Sequence, residues 1–267
     1  MSDKKVRGLI IFASFIMIFS GVILYLMFDK QGFGKNTNGN YVNLDVNDYV
    51  EISPISFNNY NDVYDSINVS RVDIKNIDNE LISDFISKEE KIINYIHRYY
   101  NQIINSDNIT ANNSVNSMIK AKINGAVLSV FYRVDFKLDE TIFEDNNKVY
   151  MVTLNIDLAT NKVLVNDNLL SKYSYSKKYI AEKLFNEDIL IDSGQIVIDK
   201  NTNISLTKGD VERRKNEYIN EIISEFDNII YMYIEDGSLV LIYDSKELKE
   251  LFFDNKFETE IKVRYLK

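Results

Sequence analysis

The run from Gly8 to Phe28 constrains this chain more than any other stretch, because it holds about 21 consecutive residues without a charge. At ~1.5 Å of rise per residue, a helix of that length crosses a hydrocarbon core of ~30 Å. In lipid a helix satisfies its own backbone hydrogen bonds, so the run predicts a transmembrane helix. A cleaved signal peptide and a buried helix of a soluble domain are the alternatives, but a signal peptide has a shorter apolar core and small residues before its cleavage site.

The charges beside this run predict its orientation. Lys4, Lys5 and Arg7 precede it, and a basic flank stays in the cytoplasm. We therefore expect a single-pass protein of the cell membrane with its N-terminus inside and its C-terminal domain extracytoplasmic. The predicted domains are a cytoplasmic tail (1–7), a transmembrane helix (8–28), a Gly/Asn-rich linker (29–40) and an extracytoplasmic domain (41–267) with a possible sub-boundary near residue 110.

Composition limits how the outer part is stabilised and what it binds. The chain has 267 residues, of which 45% are hydrophobic, so a core of ordinary size can form. It has no cysteine, which excludes a disulfide framework. The formal net charge is −9, and since the tail contributes +2, the remainder carries −11. Such an acidic domain is poorly suited to nucleic acid, so no nucleic-acid partner is expected, whereas a cationic protein would be attracted.

Hydrophobic periodicity predicts an α+β domain of antiparallel meander and hairpins packed with helices. Alternation predicts strands in Tyr41–Ile55 and, more weakly, in Val63–Ile74. Apolar residues at helical spacing from Ile77 to Ile104 predict a long helix with Asp78 as its N-cap, lying across a sheet.

Asn124-Gly125 is the strongest local signal, since this pair favours a two-residue hairpin turn. Closing the turn on these two residues would pair Ala121 with Leu128 and Ile119 with Val130. All four side chains would then lie on the face that the long helix covers.

The rest of the chain continues the mixture of strands and helices. Expected strands span 150–158, 163–165, 189–198 and 257–266, and a hairpin spans 229–243. Expected helices span 176–185, a segment capped by Thr207 or Asp210, and 244–252.

No catalytic motif is recognisable. His97 is the only histidine and lies beside the apolar stripe of the long helix, so it is expected at the surface or its boundary. One histidine and no cysteine cannot supply a His/Cys zinc site. The carboxylate pairs Glu89-Glu90, Asp139-Glu140 and Glu144-Asp145 are interpreted as solvated faces. We therefore predict no catalytic, cofactor-binding or metal-binding residues, no cofactor and no enzymatic activity.

One loop has a calcium-like pattern that the sequence leaves open. From Asp199 to Asp210, oxygen-bearing side chains occupy positions 1, 3, 5 and 12 of an EF-hand-like loop. Position 6 is Ile204, where such loops need glycine, and a strand precedes the loop. The alternative is a polar connection that leads into a capped helix.

Two stretches carry a resemblance to a known family. Asn124-Gly125-Ala126-Val127-Leu128-Ser129-Val130 and the strand-turn Asn155-Ile156-Asp157-Leu158-Ala159-Thr160-Asn161-Lys162 are followed by Asn168-Leu169-Leu170, a helix and the hairpin around Glu235-Asp236-Gly237. This pattern resembles the paired extracytoplasmic domain of unknown function found in the lysozyme-sensing anti-sigma factor RsiV and the peptidoglycan deacetylase PdaC. Asn161 departs from the turn glycine of the pattern, and the segment after Leu241 lacks its aromatic, proline-rich tail.

The resemblance implies an α+β binding domain that faces the cell envelope. We therefore expect a membrane-anchored, non-enzymatic binding or sensing domain whose ligand is an envelope polymer, a peptidoglycan-related ligand or a cationic protein such as lysozyme. The alternative is a bitopic scaffold subunit of a secretion, conjugation or division assembly. Few cytoplasmic residues are present to hold a sigma factor, and no deacetylase domain is expected.

Overall fold

A computed structural model describes residues 44–57, 65–104, 113–138, 147–190 and 196–266. The described residues from Asp45 onward belong to one compact unit, Asp45–Lys267.

Twelve strands and six α-helices are named from the described residues. The strands are β1 (Val50–Pro54), β2 (Asp65–Asn68), β3 (Ser70–Ile74), β4 (Asn113–Asn124), β5 (Val127–Lys137), β6 (Asn147–Asp157), β7 (Lys162–Val163), β8 (Val197–Ile198), β9 (Ser205–Leu206), β10 (Tyr231–Glu235), β11 (Ser238–Asp244) and β12 (Ile261–Leu266). The helices are α1 (Ser83–Ile104), α2 (Asn166–Lys172), α3 (Lys177–Leu184), α4 (Lys208–Arg213), α5 (Lys215–Ile229) and α6 (Ser245–Glu250), with a 3-10 turn at Val46–Asp48 and a π-helical turn at Phe185–Ile189.

Two sheets dominate the unit. The larger has the order β2-β4-β5-β6-β7, and the smaller has the order β10-β11-β12. All neighbouring strands are antiparallel except β2 and β4, which are parallel because β3 and α1 intervene between them. The strands β1 and β3 form a separate antiparallel pair, as do β8 and β9.

The alternation of β5 explains how four layers stack. Leu128, Val130 and Tyr132 point to the face that α1 covers. Phe131 points the other way and stacks on Tyr233 of β10, with ring centroids 5.3 Å apart, so the smaller sheet lies on this second face. The outer face of the smaller sheet packs against α2, α3, α5 and α6, which completes the order helix, sheet, sheet, helices.

The central hairpin forms, but its turn lies one residue later than predicted. Asn124 pairs with Val127, so Gly125 and Ala126 are the two turn residues, and Gly125 has a φ of 61°. A positive φ at the first turn position alone is typical of a type II′ turn, which prefers glycine there. The predicted pairing was therefore wrong, since Ala121 faces Val130 rather than Leu128. A shift of two residues preserves the alternation, so the predicted apolar face is confirmed.

Several element boundaries also differ from expectation. Asp78 does not cap α1, which begins at Ser83; it caps a preceding turn by accepting the backbone N–H of Glu80 at 3.0 Å. The predicted strand 41–55 is reduced to β1, and its first residues lie outside the described part. Helix α2 was not predicted. The two helices expected at 176–185 and 244–252 are confirmed, as is the hairpin of β10 and β11.

The fold class needs a correction. The α+β part is as expected, but the larger sheet is mixed, and no helix in the described ranges is long and apolar enough to cross a membrane. Even α1, with 22 residues, carries charges such as Asp84, Lys88 and Arg98 along one face, which suits a helix that covers a sheet. The fold class predicted around a transmembrane helix is therefore wrong for the part of the chain that the structure describes. The segment Gly8–Phe28 lies outside the described residues.

Candidate functional site

The candidate site is the outer edge of β6. On one side β6 pairs with β5 along its whole length, whereas on the other side β7 pairs only with Ile156 and Asp157. Between Lys148 and Leu154, no strand of the described part lies beside β6 on this edge. A sheet edge of this kind presents backbone donors and acceptors that can pair with another extended chain.

The hydrogen-bond pattern identifies which backbone groups face outward. The N–H of Leu158 donates to the carbonyl of Ala126 at 2.8 Å, towards β5. The N–H of Leu164 donates to the carbonyl of Asn155 at 2.8 Å, on the opposite edge. The N–H and C=O groups of successive residues in a strand point to opposite edges. The backbone groups of Met151 and Thr153 therefore face the same open edge as the carbonyl of Asn155.

This edge forms the floor of a groove with a volume of about 640 Å³, within the range of ordinary ligand sites. One wall is the side of α1, and the other is the junction between α5 and β10. One end is closed by the chain from Val163 to Asn166, which leaves β7 and enters α2. Within the described part of the chain, the edge of β6 is thus enclosed on both faces of its sheet and open along its side.

The two walls differ chemically. The α1 wall and its approach are apolar at the base, with Leu81, Phe85 and Ile92, and carry Lys88 and Lys91 at the rim. Lys88 forms an ion pair with Asp84 at 2.8 Å.

The opposite wall contains hydrogen-bonding groups beside Tyr231. The side-chain amide of Asn166 donates to Asp227 at 2.9 Å, and Lys177 pairs with Asp227 at 2.8 Å. Asn228 completes this wall and is exposed. The groove therefore has an apolar side and a polar side.

Buried polar side chains hold the smaller sheet in place against the larger one. Ser129 and Asn155 are buried, and the hydroxyl of Ser129 donates to the amide oxygen of Asn155 at 2.6 Å. The amide nitrogen of Asn155 donates to the carbonyl of Met232 at 2.8 Å, and the N–H of Ile234 donates to Ser129 at 3.1 Å. On the edge of β10 that does not pair with β11, these backbone groups therefore form hydrogen bonds with side chains of the larger sheet.

This network includes residues that carried the family resemblance. Asn124 belongs to it as well, since its side chain bonds the carbonyl of Ile234 and the N–H of Gly237. Polar residues in the stretches 124–130 and 155–162 therefore meet the hairpin of β10 and β11. Their roles here are structural, because each satisfies a backbone or side-chain partner between the sheets.

Glu89 is the most unusual side chain of α1. It lies in the stripe that faces the sheet and is 2% exposed, so its predicted position on a solvated face was wrong. It accepts the backbone N–H of Val72 at 2.6 Å. Burial raises the pKa of the Glu89 carboxyl, while the bond from Val72 and the charge of Arg71 oppose that rise. The hydroxyl of Tyr132, also buried, has no hydrogen-bond partner in the described part of the chain.

The sequence candidates for chemistry do not converge. His97 lies on the exposed side of α1, where its ring is 5.4 Å from that of Phe57, as expected of a surface histidine. The pairs Asp139-Glu140 and Glu144-Asp145 lie outside the described residues. Within the described ranges, no three His, Cys, Asp or Glu side chains are grouped to hold a metal ion.

The calcium-like loop is organised by an arginine. One carboxylate oxygen of Asp199 accepts the N–H groups of Asn201 and Thr202 at 2.9 and 2.8 Å, and the other is bound by the Arg214 guanidinium. The arginine and these N–H donors lower the pKa of Asp199 to about 2, against the opposing effect of burial. Thr207 caps α4 in a capping box with Asp210, so the loop is a connection into a capped helix.

The groove was missed by sequence reasoning, although one signal was present. The apolar alternation that predicts β6 spans 150–158. The strand after the next turn spans only 163–165 before a helix starts. A long strand followed by so short a partner leaves most of one edge without a neighbour.

Comparison with models of known protein families finds no match, and neither does comparison with curated proteins. The fold and the groove alone therefore define the class, which is an α+β protein with an open sheet edge between a helix and a second sheet. The resemblance to the paired extracytoplasmic domain stays a prediction.

Proposed function

We propose that this protein is a non-enzymatic binding domain that takes up an extended segment of another polypeptide along the open edge of β6. The observation that carries the proposal is the groove of about 640 Å³ with the backbone edge of β6 as its floor. In this mode of recognition the main chain supplies the hydrogen bonds and the walls supply side-chain contacts.

Geometry supports a polypeptide as the ligand. From Lys148 to Leu154, no strand of the described residues lies beside β6 on this edge, and at ~3.4 Å per residue this stretch is long enough to lie beside an extended segment of several residues. Backbone groups at Met151 and Thr153 would pair with the backbone of that segment. A protein or peptide of the cell envelope remains our proposed source of the ligand, and the extracytoplasmic location stays a prediction.

Thr153→Pro tests the backbone pairing. Proline removes the N–H that faces the groove, and proline is tolerated on an edge strand when its missing N–H would have faced outward. We expect the variant to fold, and to bind a peptide of about ten residues alternating threonine and valine at least roughly tenfold more weakly than the unchanged chain, a loss of about 1.4 kcal/mol. Isothermal calorimetry measures the affinity.

Thr153→Val is the matched control, because it changes the same side chain and keeps the N–H. It should bind the peptide nearly as well as the unchanged protein. Hydrogen exchange gives an independent measurement, in which the peptide should slow the exchange of the Met151 and Thr153 amides. Equal affinity in the proline and valine variants, or no protection at these two amides, would contradict the proposal.

Both expectations from the sequence are compatible with such a groove. A sensing domain needs a surface that recognises a ligand, and a scaffold subunit needs one that accepts a neighbouring protein. The two differ in the source of the polypeptide.

A further inference from the structure

The groove also determines which pattern of side chains its ligand carries, an inference that rests on the proposed function. A strand added beside β6 places each side chain on the same face as the β6 residue opposite it. Residues of the ligand opposite Tyr150, Val152 and Leu154 would therefore point to one wall, and those opposite Met151 and Thr153 to the other.

The first wall is the apolar one. Tyr150, Val152 and Leu154 belong to the same hydrophobic cluster as Phe85 and Ile92 of α1, so their face of the sheet is the α1 face. A ligand side chain on this side would meet the base formed by Leu81, Phe85 and Ile92. Burial of apolar side chains there is favourable at ~25 cal/mol per Å² of surface removed from water.

The second wall favours polar side chains. Met151 lies on the opposite face, in the cluster that includes Tyr231, and the groove there is bordered by Asn166, Asp227 and Asn228. An apolar side chain buried there would remove these polar groups from water. It would offer them no hydrogen bond in place of those made with water, which is unfavourable. Hydroxyl or amide side chains can satisfy them.

We propose that the groove selects extended polypeptide segments in which apolar and polar residues alternate, with the apolar residues facing α1. A segment from the buried centre of a sheet, which is apolar on both faces, would be rejected at the polar wall. A segment that is polar throughout would leave the apolar base uncovered.

Two peptides of equal composition test this pattern on the full chain. One alternates threonine and valine over about ten residues, and the other contains the same residues as a block of threonine followed by a block of valine. The alternating peptide should bind at least roughly tenfold more tightly by calorimetry. Equal binding, or tighter binding of the block peptide, would overturn the alternation while the proposed function stands. If neither peptide binds or protects the Met151 and Thr153 amides, both proposals fall.

Asn228→Leu provides a second test at an exposed position that should not affect folding. It makes the polar wall partly apolar, so a peptide of valine alone should gain affinity relative to the alternating one. Leu81→Asn is the converse substitution, because it places an amide at the apolar base. It should lower the affinity for the alternating peptide. If Asn228→Leu leaves the ratio of the two affinities unchanged, the wall does not select side chains and the inference is wrong.

Discussion

Glu89 occupies a position in α1 where the helical periodicity of buried residues predicts an apolar side chain. Ile82, Phe85, Ile92 and Ile96 flank it on the same buried stripe. Its carboxyl is compensated mainly by the backbone N–H of Val72, so α1 is tied to β3 through one side chain. A buried carboxyl with little compensation favours its neutral form, which is the reason for its raised pKa.

This raised pKa predicts how Glu89 affects stability. The folded state holds the Glu89 proton more tightly than the unfolded state does. The stabilising contribution of the protonated Glu89 carboxyl to the free energy of unfolding is therefore complete below its unfolded pKa. It is lost as the pH rises through its folded pKa. Replacing Glu89 by glutamine removes the charge and keeps an oxygen that accepts the N–H of Val72. Glu89→Gln should melt at a higher temperature than the unchanged protein at pH 7 and at a similar temperature near pH ~4.

Glu221→Gln is the control, since Glu221 is exposed and belongs to α5 rather than α1. Its melting temperature should follow that of the unchanged protein at both pH values. The burial argument fails if Glu89→Gln is less stable than the unchanged protein at pH 7, measured by thermal unfolding under circular dichroism.

Among the elements, the hairpin of β4 and β5 is the best defined by local chemistry. Gly125 takes a φ of 61° at the first turn position, a conformation that is strained for a β-branched side chain. We expect Gly125→Val to cost about 1–3 kcal/mol, which lowers the melting temperature by several degrees.

Gly209→Ala serves as the comparison for this turn. Gly209 lies in α4, where an added Cβ would meet the Thr207 hydroxyl oxygen at an ordinary 3.8 Å, and alanine favours the helix. Its melting temperature should stay the same or rise. A Gly125→Val variant that melts with the unchanged protein would show that this turn does not constrain Gly125.

At the scale of the whole molecule, charge is the property that the groove does not explain. The net charge is −9, whereas the groove is lined by both signs, with Asp84, Lys88, Lys91 and Asp227. The excess negative charge therefore lies elsewhere. It can raise the rate of encounter with a cationic partner without determining what the groove binds.

Salt dependence tests this contribution. If residues 41–267 bind lysozyme as a cationic partner, the association rate should fall as salt shortens the Debye length from ~10 Å at 0.1 M to ~3 Å at 1 M. Surface plasmon resonance measures the rate. An unrelated domain of equal negative charge is the control, because charge alone produces weak attraction. Equal binding by both domains, or no binding at low salt, would remove support for a cationic ligand and favour the scaffold interpretation.

The sequence by itself determined the α+β character, the long helix, the hairpins and the apolar face of β4 and β5. These follow from periodicity and turn chemistry, which are local. It located the central turn within one residue, because Asn124-Gly125 and Gly125-Ala126 both satisfy the same alternation.

Only the tertiary structure decided the rest. The burial of Glu89, the bonds of Ser129 and Asn155 to β10, and the open edge of β6 all depend on contacts between residues distant in the chain. Polar residues look alike in a sequence whether they face water or satisfy a buried backbone group. Whether a strand edge is open depends on which strands lie beside it in the fold. The open edge of β6 is therefore recognised only once its neighbours are placed.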